Sequence, residues 1–337
     1  MTAEAGALRR LGSDPLRLTL LAIRLGPALI LLFLVVIMSM LSPAFLTVLN
    51  LGNVLAQSAV IAVLAIGQLL VILTRGIDLS VGSTLALASV TGALVYSAAP
   101  SGPVVVLAML ATGMAVGAIN GMGYVLGRLP HPFIITLATL SAGRGLALWL
   151  SGGQPQQGMP EIVQAMGGGS AGWLPYSAFL VAAVALAVVL LTKRMVWGRW
   201  IYAVGGNPEA ARRAAIPVDR VVISVYVLSG LAAGIAAIVT SGRLNAGSPT
   251  FGDLAELDSI AAVVIGGASF LGGRGGVGNA LVGALMIGII RNGMNLLDVD
   301  AFLQPIVIGV VIVMAVESDV VRGRLENRFR IARAARS

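Results

Sequence analysis

The chain has 337 residues, 58% of them hydrophobic and only 11% charged, with a mean hydropathy of +0.96, which no water-soluble domain of this length could carry on its surface. Its net charge of +8 does not point to nucleic acid, because Lys and Arg cluster between apolar runs and do not form one amphipathic face. With no cysteine and one histidine, disulfides, thiolate metal sites and a His-built metal centre are excluded. The composition is that of an all-α polytopic membrane protein.

Arg9, Arg10 and Arg17 precede an apolar run at 18–41 of full spanning length, with no small-residue cleavage site behind it, so this run is expected to stay as the first span. Further runs at 54–74, 79–98, 103–127, 133–151, 174–192, 220–241, 257–271, 277–296 and 302–317 can cross, or nearly cross, a hydrocarbon core of about 30 Å. About ten transmembrane helices result. With the N-terminus inside, the inner segments carry Arg75, Arg128, Lys193, Arg194, Arg199, Arg212, Arg213, Arg220, Arg274 and both arginine-rich ends, whereas the outer loops carry Arg243 alone. This positive-inside bias places both termini in the cytoplasm. The run at 257–271 is short and Gly-rich, which fits a half-span or broken helix lining protein or a water-filled cavity.

Thr74–Ser83, between spans two and three, is expected at the inner face, where Asp78 or Ser80 can cap the third span and Gly76 and Gly82 permit a sharp reversal. An Arg75–Asp78 pair would make it a plain capped turn. The alternative is a turn that moves during transport, since ionisable groups at span ends are costly unless used. Asn120 lies in a stretch, 116–122, that is echoed at 287–294 around Asn292 with an offset of 172 residues. The first copy would end at the inner face and the second at the outer, which is an inverted repeat of the kind that alternates access.

His131, in Leu-Pro-His-Pro, reads as a turn residue. Arg144 falls deep in the fifth span and is expected to face the bundle interior, as a pathway candidate, while Arg291 is near enough to an outer end to snorkel. The Gly- and Gln-rich loop at 152–173 is a partner surface or a simple connection.

Between spans six and seven, 195–220 is a basic, helix-forming insert. Asn207 stands at an N-cap, Pro208 at the first helical position, Glu209 at the positive end, and Arg212 and Arg213 come late, so a short helix from Pro208 to Ile216 is expected before Pro217 stops it. Such a helix is a handle for a soluble partner. Glu256 and Asp258 are read as opening the eighth span on the outer side, where the helix dipole favours acids or where they touch a gate or partner. Gly273–Gly278 satisfies G-x-G-x-x-G, but its transmembrane flanks make it a tight inner turn and not a dinucleotide site. Lys193 is the only lysine, so there is no G-x-x-x-x-G-K-[ST] phosphate loop either.

Gly76-Ile77-Asp78-Leu79-Ser80-Val81-Gly82, Ala203-Val204-Gly205-Gly206-Asn207 with Ala210-Ala211, Glu256-Leu257-Asp258 through Gly266-Gly267, Gly272-Gly273 and Asn292-Gly293-Met294-Asn295 together resemble the permease subunits of bacterial ABC sugar importers, the ribose, arabinose, xylose and galactose group, over nearly the whole chain. The stretch from Arg243 to Asp258 is most similar to the ribose-type branch.

The resemblance implies a single permease domain, 1–337, in the bacterial inner membrane, with a coupling loop at 198–219 and a basic tail at 318–337. It implies that a second copy or a paralogue pairs with the chain in the lipid bilayer. A periplasmic sugar-binding protein delivers the solute, and a cytoplasmic ATPase holds ATP and Mg while this chain binds no cofactor or metal. Gly205, Gly206, Asn207, Pro208, Glu209, Ala210, Arg212 and Arg213 match the segment that inserts into that ATPase. Gating or pathway candidates are Gly76, Asp78, Ser80, Asn120, Arg144, Glu256, Asp258 and Asn292.

Two departures stand out: Arg75-Gly76 where the group commonly has Gly-Gly, and Ala215-Ile216 where it commonly has Gly-Ile. The rival class is an ion-coupled secondary transporter. It needs a carboxylate inside the membrane, and the acids here are read at span ends or in loops. A membrane enzyme lacks any His/Glu or Cys cluster.

Overall fold

The computed structural model describes residues 15–314 and 317, with side chains from Gly26 onward; the basic tail at 318–337 lies outside them. Each of the ten apolar runs contains a helix. Seven are long and apolar enough to cross a membrane: α2 (Val48–Leu73), α3 (Val81–Ala98), α4 (Gly102–Leu126), α5 (Phe133–Ser151), α7 (Tyr176–Arg194), α10 (Val218–Leu244) and α12 (Val277–Leu296). The other three are α1 (Pro15–Leu41), which contains Pro27, and the short helices α11 (Ala255–Ile265) and α13 (Gln304–Met314).

Three further helices lie between spans: α6 (Glu161–Gly168), α8 (Val196–Gly206) and α9 (Pro208–Arg213). The only β structure among the described residues is in two-residue ladders. β1 (Gln156–Gln157) pairs antiparallel with β4 (Ala246–Gly247), and β2 (Ser170–Ala171) with β3 (Leu174–Pro175). The 152–173 loop is therefore built, and it caps α10: Gly167 and Gly242 bring the backbones of α6 and α10 together.

At the centre α2 and α10 cross, with Gly67 against Ala232 and Ser229. Inside a membrane no hydrophobic gain separates helix–helix from helix–lipid contact, so close packing needs small residues. Gly113, Gly117 and Gly121 recur every four residues on α4, and a Cβ at any of them would collide with the α10 backbone at Gly230, Tyr226 or Ile223. Gly288 does the same for α12 against Ser58 of α2, where Asn292 and Asn50 exchange side-chain hydrogen bonds of 3.0 and 2.8 Å.

The contacts repeat in pairs: α4 on α10 as α12 on α2, α3 on α10 as α11 on α2, and α3 on α4 as α11 on α12. The end of α2 and the start of α10 lie on the same side, because Leu73 touches Gly205 in the segment that leads into α10. The two halves therefore run in opposite senses, as the 116–122 and 287–294 echo requires. Asn292 is thus a buried helix-packing residue.

Candidate coupling and transport site

The handle helix α9 is set by its ends. Asn207, in extended backbone, accepts the N–H groups of Glu209 and Ala210 at 3.0 Å each, satisfying donors that have no partner within the helix. The helix stops at Arg213, three residues before the expected end. Ala215 then adopts a left-handed conformation (φ 58°), its N–H bonds to Arg212 O, and the Ile216 N–H bonds back to Ala211 O at 3.1 Å. That is a Schellman closure, the position where glycine is usual because a Cβ is strained there. Exposed pairs, Arg213–Glu209 and Arg212–Asp219 at 3.2 Å, add little to its stability.

This handle is tied to the bundle through one compact node. Arg75 does not pair with Asp78, as a capped turn would have it. Its Nε donates to Gly205 O at 2.6 Å and a terminal nitrogen donates to Gly206 O, immediately before the Asn207 cap. Arg75 itself is left-handed (φ 67°), which places the reversal expected of Gly76 one residue earlier. Gly205 seats directly on the Leu73 carbonyl, which accepts the Gly273 N–H at 3.0 Å, and no Cβ fits between. Tyr202 of α8 donates to Gly275 O at 2.8 Å. Burial raises that phenol's pKa above its ordinary value, so the bonding proton stays in place. The end of α2, the end of α8 and the Gly-rich turn at 266–276 are thus clamped together beside α9, and Gly273–Gly278 is the tight turn the sequence indicated.

From the node the chain runs into the bundle as Gly76–Ser80. Asp78 is 1% exposed, and every bond it makes holds a helix. Its Oδ1 accepts from the Ser80 N–H at 3.0 Å and the Ser80 hydroxyl at 2.7 Å, and its Oδ2 accepts from Ser229 of α10 at 2.9 Å. Asn120 of α4 donates to the Ser80 hydroxyl at 2.7 Å and accepts from Thr139 of α5 at 2.6 Å. With the Gln68 amide oriented to satisfy both groups, it brackets the Asp78 backbone at 3.1 Å on each side. Asp78, Ser80 and Asn120 therefore join α2, α3, α4, α5 and α10 at one buried point. They staple helices. Gly76 is packed against Tyr226 and Val71, and Gly82 serves close approach to Gly252 and Glu256, not a reversal.

The second acidic pair also departs from its expected place. Glu256 meets Gly82 at the start of α3, so the N-terminus of α11 lies inside the bundle and not at an outer face. Asp258, 3% exposed, pairs with Arg291, which therefore does not snorkel. Glu256 is 9% exposed and its Oε2 has no partner among the described residues. Three carboxylates consequently sit inside the protein, and the reason for setting aside an ion-coupled carrier, that the acids lie at span ends, fails in three dimensions. Arg144 reaches the chain that follows α10. One of its terminal nitrogens donates to Pro249 O and, at 2.9 Å, to Phe251 O, and the Asp253 carboxylate lies 4.0 Å from the other. Of the candidates, Asp78, Ser80 and Asn120 form one cluster, Asp258 pairs with Arg291 between α11 and α12, and Glu256 sits apart against the start of α3. Ser229, Thr139 and Tyr226 complete these contacts, and the only signal they give in the sequence is a polar group within an apolar run.

The family described as the branched-chain amino acid transport system / permease component matches residues 50–316. The chain belongs to that permease family. The permease is similar to the ribose import permease protein RbsC of Escherichia coli K12, 42% identical over 293 residues that cover 86% of this chain and 91% of the relative. It is likewise 42% identical to RbsC of Bacillus subtilis over 301 residues, 88% and 92% of the two chains. The D-allose transport system permease AlsC of Escherichia coli is 38% identical over 87% of this chain and 90% of its own. No solved structure matches. The permease is a transport subunit and not an enzyme, and it is a multi-pass protein of the inner membrane.

Proposed function

We propose that this permease is the membrane-spanning subunit of an ATP-driven importer and that it passes a monosaccharide, a pentose such as ribose or a similar sugar, received from a periplasmic binding protein. The sugar class rests on the similarity to ribose, allose and xylose permeases. The observation that carries the mechanism is the node: a capped helix on the basic side of the bundle, clamped through Arg75 and Gly205 to the non-helical segment that ends at Asp78. A cytoplasmic ATPase that grips α9 and closes on ATP and Mg would move α8 and the end of α2 together. Arg75 and the Leu73–Gly205 contact give that movement no slack.

The displaced segment carries Asp78, whose hydrogen bonds reach α3, α4 and α10, so a small shift at the node changes how the two halves meet. Two copies of the chain form the pathway, both termini face the cytoplasm, and the chain itself holds no cofactor. The arginines support that orientation: Arg75, Arg128, Arg199, Arg212, Arg213 and Arg274 share the side of the node, while Arg243 lies in the last turn of α10, at its far end.

The test is the handle. Asn207→Ala removes a cap worth about 0.5–2 kcal/mol, and Glu209→Arg sets a positive charge against the helix dipole. The double variant should insert normally and lose most of its uptake. Full uptake with the ATPase still bound would remove α9 from the mechanism.

A further inference from the structure

After α10 the chain does not loop outside and return as a helix; it re-enters the bundle unwound. Ser248 exchanges hydrogen bonds with Ser89 at 3.2 Å, its N–H donating to the Ser89 hydroxyl and its carbonyl accepting from it. Gly252 lies on Gly82. Residues 248–252 therefore run along α3 from its middle to its buried start.

Two lengths place this strip in depth. Gln68, five residues or about 7.5 Å before the end of α2, brackets the Asp78 backbone, so α3, which begins three residues later at Val81, starts inside the end of α2. Independently, Arg144, which holds Pro249 and Phe251, stands about 16 Å along an α5 that is about 28 Å long. Both put the strip within the hydrocarbon thickness.

Hydrocarbon tolerates non-helical backbone only where it is buried in protein or borders water. Ser248 and Pro249 are buried, but Thr250 is exposed and the Asp253 side chain is 79% exposed. A carboxylate facing lipid at mid-depth costs at least about 2.5–3.5 kcal/mol, so this face looks onto water. Arg144 and Asp253 also set donors beside an acceptor. A polyhydroxylated solute, each of whose hydroxyls can donate and accept, suits such a surface.

We propose that the strip Pro249–Leu254, held by Arg144, is a wall of the solute pathway, and that Thr250 and Asp253 are the groups a polyol touches in transit. The wall is completed by the second copy of the chain, and in naming the solute class it rests on the importer reading. Arg144 is the positioning residue that keeps the unwound strip in register with α3.

The chain has no cysteine, so single thiols report cleanly. Thr250→Cys and Asp253→Cys are compared with Leu186→Cys, on the outward face of α7, in membranes containing the whole transporter. A thiol in hydrocarbon stays protonated and unreactive, so a charged methanethiosulfonate should modify the first two at least about tenfold faster than the third. Modification of either should stop uptake. Reaction at both positions no faster than at Leu186→Cys, or complete modification with uptake unchanged, overturns the proposal. Reactivity is read without ATP. Reactive thiols in a protein whose uptake ignores ATP would sink the importer reading and leave the water-lined wall, while unreactive thiols in an ATP-driven importer would do the reverse.

Discussion

Replacing Arg75 by alanine should loosen the handle without unfolding the bundle. The wild-type side chain makes two charge-assisted bonds to the Gly205 and Gly206 carbonyls, one partly buried and one exposed. A partly buried bond of this kind is worth about 1.5–3 kcal/mol net and an exposed one a fraction of that, so the variant should lose about 2 kcal/mol of tethering. At 1.4 kcal/mol per decade, that is about a 30-fold shift toward a detached α8–α9 segment.

Amide hydrogen exchange over 203–213 should accelerate by about that factor in Arg75→Ala, and sugar taken up per ATP hydrolysed should fall. Arg75→Lys, which reaches one carbonyl, should be intermediate. Arg75→Gly loses the same bonds but also relieves the left-handed strain at φ 67°, worth about 1 kcal/mol, so it should be uncoupled yet more resistant to heat than the alanine variant. Wild-type exchange and full coupling in Arg75→Ala would refute the tether.

Ala215→Gly should tighten the α9 closure by about 0.5–1 kcal/mol, the relief of the left-handed alanine less the entropy glycine loses on folding, and the Ile216 amide should exchange more slowly; faster exchange would contradict the Schellman assignment. Thiol labelling should place Gly158→Cys and Asp300→Cys outside and Gly206→Cys inside. Reaction of Gly206→Cys from the outer side would overturn the orientation.

The helices were legible in the sequence wherever an apolar run spoke for itself, and so was the handle, because Asn207-Pro208-Glu209 specifies a helix start through local hydrogen bonds alone. The interior placement of Glu256 was not. An acid beginning a helix looks the same whether that helix starts at the bilayer surface or halfway through, and only the non-local contact of Glu256 with Gly82 decides between them. Arg75 was visible as a departure from its group, but its direction was set by Gly205, 130 residues away. The buried place of Asp78 was hidden for a similar reason. Its bonds to Ser229 and, through Ser80, to Asn120 are what consume the carboxylate, and neither partner is near it in sequence.

The most direct test is concentrative uptake in proteoliposomes. With the ATPase, the binding protein and ATP supplied, a neutral monosaccharide should accumulate. The permease alone should accumulate none under any imposed ion gradient, because in an ATP-driven importer the ATPase supplies the work; Asp78 and Asp258 are committed to bonds within the bundle, and only Glu256 keeps an oxygen without a partner among the described residues. Accumulation by the purified permease driven by a proton or sodium gradient, with no ATPase present, would contradict the account and give the three buried carboxylates a carrier role.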